Sequence, residues 1–86
     1  MDAEVAYLLA RCRLILDAIE RAEPGPFVLR LRQVVEDTAA KGSARGLRTV
    51  RRDLLEMSQT LSQKDRAVLE AALKAQEADD PMHRAG

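Results

Sequence analysis

From Asp2 to Ala22 the chain runs without a glycine or proline, and its apolar side chains return at Val5, Leu8, Cys12, Ile15, Ile19 and Ala22, in alternating steps of three and four. Only a helix brings such positions to one face, so the segment predicts an amphipathic helix. Leu9 and Leu16 widen the stripe to what a helix needs when it packs into a bundle rather than a two-stranded seam. At about 100° per residue, Tyr7 and Leu14 point to nearly the opposite side, among Glu4, Arg11 and Arg21. The opening helix therefore has two adhesive flanks.

Glu23-Pro24-Gly25-Pro26 ends this helix, because prolines remove donors and bias the residues before them away from helical angles. Pro26 then suits the first position of a second helix, to about Ala40, with Gly25 as its cap. Its expected stripe is Phe27, Leu31, Val34, Val35 and Thr38, with Leu29 off it. Lys41-Gly42-Ser43 reads as a glycine stop followed by a serine N-cap. The third helix follows on Leu47, Val50, Leu54, Met57 and Leu61, and Gly46 in its first turn weakens it by about 1 kcal/mol relative to alanine.

Ser58, Gln59, Thr60 and Ser62 are poor helix-interior residues as a group, and Ser62 with Asp65 matches an N-capping signature. The reading is a break near Leu61 and a fourth helix from Gln63, with a short stripe of Val68, Leu69, Ala72 and Leu73; a single bent helix is the alternative. Beyond Glu77 the apolar period is lost. No stretch alternates apolar and polar residues as a strand would. The fold class is therefore all-α: a small antiparallel bundle of three long helices plus a short fourth. Residues 1–78 form the helical domain and 79–86 a flexible C-terminal tail.

Eighty-six residues make one small domain. Its aromatic residues are Tyr7 and Phe27 alone, and fourteen of its apolar residues are alanine, so leucine and valine must build the core. Leu, Ile, Val and Phe together number 21, enough for a charged chain to fold. Cys12 is the one cysteine, which excludes an intrachain disulfide and suits a reducing compartment. No apolar run approaches membrane-spanning length, and the acidic Met1-Asp2-Ala3-Glu4 start is unlike a signal peptide. These features predict a cytoplasmic protein without a membrane role. Eleven arginines against three lysines, with abundant alanine, resemble the codon bias of a GC-rich bacterial genome.

Catalysis needs titratable or nucleophilic groups brought together at hydrogen-bond range. The one histidine, His83, falls in the expected tail, and Cys12 sits in the helix-one seam, where a thiol behaves as a small hydrophobe. Glu36-Asp37 and Asp79-Asp80 are sequence neighbours rather than convergent pairs. No metal-ligand spacing and no lysine-bearing phosphate loop is present, so no catalytic, metal or cofactor site is expected and the chain is read as a non-enzyme.

Fourteen basic and fourteen acidic residues cancel, leaving only local patches to attract a charged partner. Lys41 to Leu61 is the most asymmetric stretch, at a net +3. Arg45, Arg48 and Arg52 share a helical face there, and together with Arg51 they form a candidate nucleic-acid contact. Thr49-Val50-Arg51-Arg52-Asp53-Leu54 resembles the recognition-helix segment of DeoR-type winged-helix repressors over those six residues. Gly42 stands too far upstream to be that family's turn glycine, Gly46 occupies the place of its capping serine, and no wing strands follow. None of the family's residues is therefore carried over.

The favoured reading is association with protein. Tyr7, Leu14, Leu29 and Leu55 all lie off the main stripes, and a small core gains most from a partner that covers such residues. The sequence thus predicts a non-catalytic helical interaction module whose bundle is completed by dimerisation. A small nucleic-acid-binding regulator, or a chaperone or antidote for another protein, is the alternative.

Overall fold

The computed structural model describes residues 2–79, which fold into four helices and no strand. They are α1 (Ala3–Ala22), α2 (Pro26–Ala40), α3 (Ala44–Ser58) and α4 (Gln63–Asp79).

Each boundary has a local cause. Asp2 caps α1 by accepting the Glu4 N–H at 3.0 Å, and Ser43 caps α3 by accepting the Gly46 N–H at 3.0 Å. Such a cap satisfies a donor that the first helical turn leaves without a partner. α2 ends in a Schellman turn: Gly42 takes the left-handed φ of 70°, its N–H reaches the Ala39 carbonyl at 2.9 Å, and the Ser43 N–H reaches Thr38 at 3.3 Å. The α3–α4 break is real. Ser62 accepts the Asp65 N–H at 3.1 Å and so starts α4 where the capping signature lies.

α1 is the hub, packing against α2, α3 and α4, while α2 and α3 also meet. Its central stripe, Val5, Leu8, Cys12, Ile15 and Ile19, is buried with Leu47 and Leu54 of α3. On one flank, Leu9 and Leu16 are buried, and Arg13 and Arg32 tie α1 to α2. Arg13 pairs with Glu36 through two bonds of 2.8 and 2.7 Å, and Arg32 bridges Asp17 at 2.6 Å and Glu20 at 2.9 Å. The other flank belongs to α4.

That second flank changes one expectation. Tyr7 and Leu14 are half-buried against the chain's own core. The Gln76 side chain donates to the Tyr7 carbonyl at 2.9 Å. Arg11 donates to the Tyr7 hydroxyl at 2.9 Å, and its guanidinium lies 5.4 Å from the Tyr7 ring centre, a cation–π arrangement. Leu69 and Leu73 supply the buried face of α4. The two apolar flanks of α1 thus receive two different helices of one chain.

α4 is also not short. It has 17 residues against 15 in α2 and in α3. Ala71, Ala72, Ala75 and Ala78 carry it onward, alanine being the strongest helix former, although they leave little apolar periodicity to read. Its last residue is Asp79, the first of the expected tail; residues 80–86 lie outside the described residues. Val68, placed in the stripe by spacing, is instead 46% exposed.

The third correction concerns α2, whose buried side chains are Val28, Val35 and Ala39. Its core face is turned by one residue from the expected stripe, leaving Phe27 and Val34 at 55% and 49% exposure. Two neighbours set this rotation: Arg32 must reach Asp17 and Glu20 of α1, and Thr38 lies against Gly46 of α3.

Candidate functional site

The exposed large apolar residues among those described are Phe27, Leu29, Val34 and Val68, three of them on α2. Phe27, Leu31, Val34 and Thr38 follow one another at helical spacing on the side of α2 that borders α3, with Leu31 half-buried between the two exposed residues. This strip is the very pattern that sequence spacing assigns to the core. Leu29, 64% exposed, sits on the opposite flank of α2, beside Glu20, Pro24 and Pro26. It is not part of the strip.

The strip ends in a groove. The α1–α2 and α3–α4 turns lie at one end of the molecule, where Ile19, Phe27, Val28, Met57 and Leu61 line a cavity of about 470 Å³. Ile19 and Val28 form its buried floor, and Glu23 and Asp65 stand at its edge. Phe27 belongs to both strip and groove. A second, shallower groove of about 670 Å³ lies between α2 and α4, with Leu14 and Val68 among its walls and Asp17, Arg21 and Arg32 among its polar residues.

The four residues expected to drive association are not brought together. Tyr7 and Leu14 serve the α1–α4 contact, Leu55 packs half-buried against the core, and only Leu29 is exposed. Phe27, Val34 and Val68, which spacing assigned to buried stripes, are instead exposed. The available signal was that α2 holds two overlapping stripes, of which a single neighbouring chain segment can cover only one.

The arginines of α3 form no continuous free patch. Arg45, Arg48 and Arg52 share the outward face, but Arg48 is hydrogen-bonded to Glu4 and Arg52 lies 3.7 Å from Asp53. Arg51 turns toward α1, close enough to act on the Cys12 thiol. Arg45 and Arg51 form no ion pair with an acidic residue among the described residues.

Cys12 is fully buried, and its thiol donates to the Leu47 carbonyl at 3.9 Å. Burial pushes its pKa up from 9.0 to about 11, against the opposing pull of Arg51 and Arg11. A thiol in this state is protonated at neutral pH and shielded from reagents, so it is a packing group rather than a nucleophile. Among the described residues no group of three His, Cys, Asp or Glu side chains is placed to hold a metal ion, and no helix is long and apolar enough to cross a membrane. His83 lies outside the described residues. No protein-family model, curated protein or solved structure matches the chain.

Proposed function

We propose that this chain is a non-catalytic helical protein-interaction module, bacterial and cytoplasmic, that pairs with a second copy of itself through the outer flank of α2. The observation that carries the reading is the exposed strip of Phe27 and Val34 with Leu31 between them. Water contact with such a strip is unfavourable by about 25 cal/mol for each Å² left uncovered, and a small core has little surplus to offset it.

The strip is suited to meeting its own copy. In a two-fold pairing each surface faces itself, so its charges must be self-complementary. Arg30 lies toward the start of α2 and Asp37 toward its end. Two α2 helices crossing head to tail bring Arg30 of one copy near Asp37 of the other while the apolar strips meet between them. Within each copy the four helices run up and down as an antiparallel bundle. Support comes from contacts in which later α1 residues meet earlier α2 residues, Arg13 with Glu36 and Glu20 with Arg32.

Molar mass by light scattering tests the reading. The expected result is a dimer that dissociates on roughly hundredfold dilution and a Val34→Asp variant that is monomeric throughout yet equally helical. A wild-type monomer at high micromolar concentration would overturn it.

A further inference from the structure

The groove at the end of the bundle has a chemistry of its own. Its apolar surface comes from the ends of α1, α2 and α3 and from Leu61 in the α3–α4 turn, so it exists only in the folded chain. The two hydroxyls beside it are already engaged: Thr60 donates to the Met57 carbonyl at 2.9 Å, and Ser62 accepts the Asp65 N–H at 3.1 Å. The carboxylates of Glu23 and Asp65 are different. Neither forms an ion pair with a described residue, and no Lys, Arg or His lines the groove. Glu4, Asp17, Glu20, Glu36, Asp53 and Glu77 each face an arginine. Asp2, Asp37, Glu56 and Glu70 form no ion pair with a described residue either, but only Glu23 and Asp65 stand at the rim of this apolar groove.

An apolar slot edged by two uncompensated carboxylates repels nucleic acid and acidic segments. It attracts a surface that is apolar at its centre and cationic at its margins. About 470 Å³ is within the range of pockets that enclose a small group of side chains. We infer that the groove binds an amphipathic helix of another protein, with apolar side chains one turn apart in the slot and Lys or Arg residues facing Glu23 and Asp65. The groove shares Phe27 with the α2 strip but does not depend on self-association. Met57, Leu61, Glu23 and Asp65 all lie off the strip.

The test uses the full chain and two fluorescently labelled helical peptides with identical leucine spacing, one flanked by lysine and one by glutamate. In anisotropy titrations the lysine peptide is expected to bind saturably, and the glutamate peptide about tenfold more weakly or worse, a difference that salt reduces. Glu23→Gln with Asp65→Asn is expected to abolish this preference without altering helicity, and Phe27→Ala to weaken the lysine peptide about tenfold. On wild-type protein, peptide-induced amide shifts are expected in residues 19–28 and 57–65. Val34→Asp, outside the groove, is expected to remove the dimer and, by freeing Phe27, to bind the lysine peptide at least as tightly as the wild type, so the two proposals fail separately. The inference is overturned if the lysine peptide does not bind, if both peptides bind equally, if the preference survives the double neutralisation, or if the shifts map elsewhere.

Discussion

Gly46 illustrates how one residue takes its meaning from a neighbour remote in sequence. In an open helix a Gly→Ala change gains about 1 kcal/mol. Here a β-carbon would stand 2.8 Å from the Thr38 methyl and 2.9 Å from the Ser43 hydroxyl. Thr38 cannot swing aside freely, because its own hydroxyl is bonded to the Val34 carbonyl at 2.7 Å. Gly46→Ala is therefore expected to destabilise the chain by about 1–3 kcal/mol in urea unfolding, and Thr38→Ser, which lacks the methyl, to recover part of that loss. Cys12 gives a prediction with a defined sign. Its folded pKa of about 11 lies above the ordinary 9.0, so between these values the folded chain holds a proton that the unfolded chain has released. Stability should fall as pH rises through that window, and Cys12→Ala should remove this part of the slope. Thiol labelling below that window should proceed no faster than the chain opens.

α4 depends on α1 far more than on its own sequence. Leu69 and Leu73 anchor it, with Gln76 and Arg11 closing the polar edge of the contact. Leu69→Ala is expected to cost about 2–5 kcal/mol and to raise hydrogen exchange in α4 before the rest of the bundle. At α2 the pairing with Arg13 holds the Glu36 carboxyl below the usual carboxylate range. That contribution is present above the ordinary carboxylate pKa and is lost as pH falls through the lowered one; it is small because both partners are exposed. Glu36→Gln should therefore flatten the acid limb of the stability profile slightly. The starts of α2, α3 and α4 and the end of α2 were legible because Pro26, Ser43, Ser62 and Gly42 act on the backbone next to them, whereas α3 stops at Ser58, short of the expected break near Leu61, and α4 runs past Glu77 to Asp79. The rotation of α2 was not legible: Phe27-Leu31-Val34 and Val28-Val35-Ala39 are both credible faces, and ion pairs to α1 and the approach to Gly46 choose between them.

At the scale of the molecule, the described chain extends 35 × 26 × 15 Å. Its thinnest dimension, 15 Å, matches two packed layers of helices, with axes about 8–10 Å apart and Cα atoms about 2.3 Å from each axis. A hub helix in so thin a body buries its own stripes well, while the outer helices each keep a side open, and α2 keeps the most apolar one. The proposed dimerisation at that side would link stability to concentration, so the midpoint of urea unfolding should rise with protein concentration in the wild type and be independent of it in Val34→Asp.

Helical class, the number of helices and their ends follow from local chemistry: caps, prolines, a left-handed glycine and three-four spacing act within a few residues. Which apolar face becomes interior and which remains outside does not, because α2 has more apolar surface than its neighbours in the chain cover. Tyr7 and Leu14 went inside, and Phe27 and Val34 stayed out, only once α1 had accepted helices on both of its flanks.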